Sequence, residues 1–396
     1  MIAGRYRVFP ILLLAYFRVA FGVVIGLAVP LYFLEEDLNP QIIGVIVSGT
    51  AMAYLFSPLV FRNVHKKIGM KRAIIISTSG FLFTQIIYQI SLNPLLVYLM
   101  LIFDGIALGL FWPVLMTTIS AISNLDEYRD NNIMKDKLMK NYSLSWNLGG
   151  IFSYILGTII LFFISDIILM FRLSLIFCFI AFVASFFYKE PKNHMDQEVI
   201  VPMDERIKAL PQREQVSFPL FLPLIIIAIY GFLIGSIGLV YPVKSEILNF
   251  ALFTNYLFFL IRMTTQTVSI SKTMDFSINK LKKTILYSTI ITFFSILIMG
   301  LNQNLIIFGI LFCVFGIFVS FLYTFAFKLI LFRNIANNTS KYSVYFETFV
   351  GIGFFLAPII TGFIATWNVD FSFYFLSILT LVAIALLLIF RNQIKD

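Results

Sequence analysis

The sequence predicts an all-α polytopic membrane protein, with twelve transmembrane helices in two pseudo-symmetric six-helix bundles. Three observations predict it. Of 396 residues, 60% are hydrophobic and 12% charged, against about a quarter charged in a soluble domain. Apolar runs recur at the roughly 20 residues that a helix needs to cross a hydrocarbon core of about 30 Å. The basic residues are sorted into alternate connecting segments. Lipid offers backbone groups no partner, so a spanning segment is a helix or part of a closed barrel. These runs are too long and too evenly apolar for barrel strands.

The first six spans are Pro10–Phe33, Gln41–Phe61, Ala73–Leu92, Leu95–Ile122, Tyr142–Ile164 and Ile167–Tyr188. The second six are Phe218–Tyr241, Phe250–Ser271, Thr284–Leu301, Leu305–Leu331, Tyr342–Thr366 and Phe371–Phe390. With the N-terminus inside, 25 of the 29 lysines and arginines fall on the inner side, one (Lys244) outside, and three (Arg18, Arg172, Arg262) within spans. Basic residues favour the cytoplasmic side, so both termini are expected in the cytoplasm and the chain in the cell membrane. The net charge of +9 is then a topology signal, and no nucleic-acid partner is implied. The first run is longer than a signal-peptide core and contains Arg18, so it is expected to stay as a span. Cys178 and Cys313 lie deep in spans and are expected as small core residues. His65 and His194 have no ligand spacing around them, so no metal site is expected.

The polar stretch Lys189–Val216, with Pro191, Pro202 and Pro211, falls between the two sets of six spans. It divides the chain into residues 1–188, a cytoplasmic linker 189–217 and residues 218–396. The halves share a pattern. Gly26-Leu27-Ala28-Val29-Pro30 in span one matches Gly238-Leu239-Val240-Tyr241-Pro242 in span seven at an offset of 212. Gly149 with Ser153-Tyr154 matches Gly353 with Ala357-Pro358 at an offset of 204, and Lys71-Arg72 matches Lys282-Lys283. Parallel repeats of this kind build transporter folds.

These residues resemble the major facilitator superfamily. Pro30-Leu31-Tyr32 followed by Asp37-Leu38-Asn39-Pro40-Gln41-Ile42-Ile43-Gly44 is similar to that family's first extracellular turn. The run from Phe103-Asp104-Gly105 to Phe111-Trp112-Pro113 is similar to its fourth helix, and Ser145-Trp146-Asn147-Leu148-Gly149-Gly150 to its fifth. Glu347, Gly351, Gly353, Ala357-Pro358 and Gly362 resemble its eleventh. The family's loop after helix two is matched by Lys66, Lys67, Gly69, Lys71 and Arg72, with Arg62 at its first glycine and Lys66 at its aspartate. On the fourth helix Leu101 stands at the usual arginine and Asp104 at the usual glutamine. The resemblance implies two rocking halves with a substrate site at their interface, lined in the first half by helices one and four. It also implies a gating role for the loop Lys66–Arg72.

Ionisable groups at membrane depth are costly unless paired or wetted. Arg18 lies roughly 12 Å and Asp104 roughly 16 Å above the inner edge of their spans, and since the resemblance implies that helices one and four line one cavity, the two can pair. The pair either binds substrate at Arg18 and takes up a proton at Asp104, or is a permanent bridge between helices one and four. Arg262 is either a second cationic contact for an anionic substrate or is bonded to helix carbonyls. Glu347 near the inner rim is either a latch on Lys66 or Lys67, or a coupling site. Tyr16, Trp112, Asn147, Tyr230 and Tyr323 are the neutral cavity candidates. Gln85 and Gln89 share a helix face and are expected to bond between helices. Arg172 is expected to snorkel. Lys244 and Glu246 are expected in solvent at the outer mouth. Gly22 and Gly26, like Gly105 and Gly109, form G-x-x-x-G pairs for close helix packing.

No phosphate loop, zinc-binding helix motif or nucleophile elbow is present, so an enzyme is not expected, and no cofactor is implied. The expectation is a monomeric secondary transporter of a small anionic or zwitterionic solute, coupled to a proton or other ion, by alternating access. Efflux of amphipathic compounds is the alternative within the class, and a polytopic membrane enzyme or lipid scramblase the alternative outside it.

Overall fold

A computed structural model describes residues 2–61, 64–123, 132–191, 218–336 and 341–390. Among the described residues the chain is helical throughout. Twelve long helices and one short one follow in order: α1 (Ile2–Glu35), α2 (Pro40–Phe61), α3 (Val64–Ile68), α4 (Met70–Ile90), α5 (Pro94–Ser123), α6 (Asn132–Phe163), α7 (Ile168–Phe186), α8 (Phe221–Ile247), α9 (Phe253–Thr273), α10 (Ile278–Leu301), α11 (Leu305–Ala336), α12 (Lys341–Trp367) and α13 (Val369–Phe390). The twelve long helices coincide with the twelve expected spans, and several run past the apolar stretch. α6 begins ten residues before Tyr142, through a polar segment in which Leu138 is buried. α8 continues through Pro242 to Ile247, although the apolar pattern predicts an end at Tyr241. Proline is tolerated inside a membrane helix where neighbouring groups satisfy the freed carbonyl.

Among the described residues eleven helices are long and apolar enough to cross a membrane. The other long helix, α9, carries Arg262, Gln266 and a run of serines and threonines. Two of those hydroxyls, on Ser269 and Thr273, are met by α11. Ser269 Oγ and Ser320 Oγ lie 2.6 Å apart, and Thr273 Oγ1 and Thr324 Oγ1 2.9 Å.

The chain forms two compact units. One comprises Met1–Leu38, Val45–Glu198 and Ala251–Leu257; the other comprises Asn39–Gly44, Val199–Phe250 and Phe258–Asp396. In the first unit α1 packs on α6 and α7, and α4 on α5 and α7. In the second α8 packs on α12 and α13, and α10 on α11 and α13. The pairings are the same under the internal repeat.

The repeat reaches the backbone. α1 ends with Asp37 at φ 55° and α8 with Asn249 at φ 53°, residues 212 apart. Leu38 N–H donates to Phe33 O at 2.9 Å, and Phe250 N–H to Ser245 O at 2.9 Å. Each is the six-to-one bond of a Schellman turn, closed by a left-handed Asp or Asn in place of glycine. The close crossings repeat too. A Cβ on Gly149 would lie 2.1 Å from Tyr16 O, and one on Gly353 2.4 Å from Ala228 O. Those partners stand at the same offsets of 204 and 212. Gly105 and Gly109 press on Thr50 and Ser57 of α2, as a G-x-x-x-G pair should. Gly22 and Gly26 do not act so: Gly22 faces the Arg18 side chain, and nothing lies within 4 Å of a Cβ at Gly26.

Candidate functional site

The first unit holds a buried ion pair. Arg18 on α1 and Asp104 on α5 are 6% and 8% exposed. Arg18 Nη2 donates to Asp104 Oδ2 at 2.9 Å. The guanidinium carbon lies 4.5 Å from the centroid of Phe21 and 4.6 Å from that of Phe81. Two aromatic faces thus hold the cation by their quadrupoles. A Cβ on Gly22 would fall 2.4 Å from Arg18 Nη1, so the glycine one turn along α1 makes room for the guanidinium. Beside the pair is a cavity of about 180 Å³, lined by Arg18, Asp104, Gln85, Tyr88, Thr50 and Gly26 among others. Gln85 accepts a hydrogen bond from Ser174 Oγ at 2.7 Å, and Gln89 donates to Phe171 O at 3.1 Å. Both glutamines bond between helices, and Gln85 also faces the cavity. Arg18 Nε and Tyr88 Oη are buried without a hydrogen-bond partner.

The second unit holds a different buried charge. Arg262 on α9, 8% exposed, donates through Nη1 to Gln266 Oε1 one turn along at 2.8 Å. Gln266 Nε2 in turn donates to Tyr230 Oη on α8 at 2.5 Å. The Tyr230 ring lies 5.4 Å from Tyr323, which stacks on Phe327 at 5.9 Å and meets Phe346 edge-on. Arg262 also lies over Phe259 at 5.4 Å. Among the described residues no carboxylate pairs with Arg262, so its charge is set against neutral dipoles and rings. Three candidates from three spans, Arg262, Tyr230 and Tyr323, are therefore brought together. Gln266, which joins two of them, escapes the sequence reading; its i+4 spacing from Arg262 is the available signal.

The other candidates stand apart from these clusters. Tyr16 packs against Phe17 and Phe152, and Trp112 against Phe111. Asn147 donates to Ser143 O at 2.9 Å. None of the three lines the Arg18 cavity. Glu347 on α12 is exposed, and no ion pair involves it among the described residues. Arg172 is exposed.

In the loop before α4, Arg62 and the side chain of Lys66 lie outside the described residues, as does the linker from residue 192 to 217. Lys67 and Arg72 are exposed. Gly69 sits at φ 87°, and Lys71 N–H donates to Glu190 Oε1 at 2.5 Å. Glu190 thus places a carboxylate on the N-terminus of α4, where the helix dipole favours it. One correction concerns Lys244. It is buried rather than solvated, because α8 continues past Pro242 and carries it into the bundle. There it bonds to Gly300 O at 2.7 Å and pairs with Asp370 at the start of α13.

A family model described as Major Facilitator Superfamily matches residues 9–333. No curated protein sequence matches the chain. Among solved structures, the chain is similar to a point mutant of the nucleoside transporter NupG, with TM-score 0.75, 12% identity, and 96% of this chain and 99% of that chain covered. A second NupG structure gives TM-score 0.73 and 14% identity over 98% and 99%. A structure described as giving insight into substrate recognition in proton dependent oligopeptide transporters gives TM-score 0.67 and 13% identity over 98% and 100%. At these identities the likeness is one of fold.

Proposed function

The chain belongs to the Major Facilitator Superfamily, and from that premise we propose that it is a proton-coupled transporter of a small anionic or zwitterionic solute. It is a multi-pass membrane protein of a transporter family. The observation that carries the finer reading is the contrast between its two buried arginines. Arg18 is neutralised by Asp104, a carboxylate able to accept a proton. Arg262 has the neutral amide of Gln266 as its partner, and no carboxylate among the described residues. A buried uncompensated cation is costly, and an anionic ligand removes the cost.

In the proposed cycle the solute's carboxylate is held by Arg262, while Tyr230 and Tyr323 shape its pocket. As solute arrives at Arg18, Asp104 gives up the guanidinium and takes a proton from water. One proton and one monoanion then move without net charge. Glu347 is a second carboxylate for coupling or for latching the loop Lys66–Arg72. Tyr16, Trp112 and Asn147 are secondary contacts. Residues 1–188 and 218–396 act as the rocking halves of a monomer, joined by 189–217, with both termini in the cytoplasm and the chain in the cell membrane. Efflux of amphipathic compounds is the second reading, supported by the aromatic group of Tyr230, Tyr323, Phe327 and Phe346.

The test is uptake by proteoliposomes across a panel of small acids, amino acids and peptides, with and without an inward proton gradient. Expected is accumulation of an acid or zwitterion that a protonophore abolishes. Asp104→Asn should lose accumulation and keep solute exchange, and Arg262→Gln should raise KM. Gradient-driven accumulation by Asp104→Asn refutes the proton role. Transport of cationic amphiphiles unaffected by Arg262→Gln refutes the anion role and favours the second reading.

A further inference from the structure

The internal repeat breaks down in charge at the start of α10. We propose that the lysines there bind the phosphate headgroup of an anionic phospholipid, whose acyl chain lies along the outer stripe of the same helix.

The stripe comes first. Tyr287, Phe294 and Leu301 of α10 are 69%, 52% and 65% exposed. They recur every seven residues, about two helical turns, so they form one row facing away from the bundle. The first unit carries the same row on α4, at the offset that relates Lys71-Arg72 to Lys282-Lys283. There Ile76, Phe83 and Ile90 are 55%, 49% and 73% exposed. Lys280 continues the α10 row one step before Tyr287, and Lys283 lies one turn before Tyr287 on the same side. Both lysines are exposed. From Lys280 to Leu301 the helix rises about 32 Å at 1.5 Å per residue, close to the roughly 30 Å of a hydrocarbon core. The lysines therefore stand at headgroup level, with the Tyr287 ring at the boundary that tyrosine favours.

Charge comes second. Residues 272–301 hold four lysines and one carboxylate, Asp275. Lys280 Nζ lies 3.6 Å from the centroid of the Phe276 ring, and Lys328 Nζ of α11 donates to Phe276 O. Phe276 thus gathers two cations. Among the described residues no ion pair involves Lys272, Lys280, Lys283 or Lys328. The first unit fills the matching place with an anion of its own. Gly69 stands there in place of Lys280, a Cβ on it would lie 3.0 Å from Glu190 Oε1, and that carboxylate accepts the Lys71 amide. α10 has no acidic residue in its first turn, and its Lys280 amide goes to Ser277 Oγ at 3.3 Å. Where α4 has a carboxylate, α10 has a lysine beside a helix N-terminus that favours negative charge. A phosphodiester supplies that charge, and its acyl chains continue along Tyr287 and Phe294. Free phosphate would leave this stripe unused. The leaflet concerned rests on the topology proposed above; the site does not.

The experiment places a reporter on the stripe. In a chain with Trp112, Trp146 and Trp367 replaced by phenylalanine, Tyr287→Trp is reconstituted into mixtures of phosphatidylcholine and dibrominated phosphatidylglycerol, whose bromines quench an adjacent indole. Each basic residue near an anionic surface is worth about a fivefold preference, so phosphatidylglycerol should be favoured at this position by at least about fivefold. Lys280→Gln with Lys283→Gln should bring the preference close to one. Both lysines are exposed, so their removal leaves the packing in place. Ile76→Trp, the matching reporter on α4, should show a smaller preference than Tyr287→Trp. No preference at Tyr287→Trp, or the same preference at Ile76→Trp, overturns the site. Replacing chloride by inorganic phosphate at equal ionic strength should change nothing; loss of the preference would make free phosphate the occupant and overturn the lipid. Native mass spectra of the chain with its own tryptophans, released from detergent holding equal amounts of the two lipids, give the same comparison without a reporter. There phosphatidylglycerol adducts should dominate and fall in Lys280→Gln with Lys283→Gln; adducts unchanged by the two substitutions overturn the proposal.

Discussion

Replacing Gly149 by alanine should loosen the first unit, and the size of the effect follows from the crossing of α1 and α6. The added Cβ would sit 2.1 Å from Tyr16 O, where real Cβ contacts stay beyond 3.0 Å. The two backbones must therefore separate by about 0.9 Å at that point. The obstacle is a helical carbonyl, which cannot rotate away. Overpacking of this kind costs about 1–3 kcal/mol, or a fall in Tm of about 2–12 °C for a unit of roughly 200 residues. Gly353→Ala meets Ala228 O at 2.4 Å and should cost somewhat less. The controls are the same substitution at Gly26 and Gly238, where nothing lies within 4 Å. There alanine should leave Tm unchanged or raise it, since glycine inside a helix is worse than alanine by about 0.5–1 kcal/mol. Tryptophan-fluorescence melts of the four purified variants in detergent decide the matter. Equal melting of Gly149→Ala and Gly26→Ala would refute the reasoning.

Other outcomes follow from the buried charges. Asp104→Ala should destabilise by about 3–5 kcal/mol, because it strands Arg18, whereas Arg18→Met with Asp104→Leu should recover most of that loss; melts of both variants measure the difference. Asp370→Ala should lower Tm more than Lys244→Met, because the lysine side chain is 4% exposed and the carboxylate 34%, so only the orphaned carboxylate can turn to solvent. Gln266→Glu should raise Tm by neutralising Arg262 and abolish uptake of an anionic solute in proteoliposomes; retained uptake would place the solute elsewhere.

The helices and the Arg18–Asp104 pair are legible in the sequence because both depend on local arithmetic. Apolar run length places a span, and 1.5 Å per residue places a charge within it. The pairing then needs the two depths to agree and the family resemblance to set helices one and four on one cavity. What stays hidden depends on which groups the fold brings together. Asp370 lies 126 residues from Lys244, and nothing local to either marks the other, so the lysine reads as solvated. Tyr88 stands three residues after Gln85, on the same side of its helix, and only packing shows that both line the cavity of the buried charges. Gly26 sits in a packing motif yet touches nothing, since spacing gives the face of a helix and not its neighbour. α9 reads as a span like the rest; its polarity makes sense once Ser320 and Thr324 of α11 are seen opposite.

The Glu190 carboxylate has a practical consequence for anyone expressing the halves as separate chains. Helix α7 ends at Phe186, which invites a stop codon there, but the acceptor for the Lys71 amide comes four residues later. An amino-terminal fragment finishing before Glu190 would leave the first turn of α4 without its anion. The same fragment extended through Pro191 would keep it, and would be the one to recover from the membrane intact.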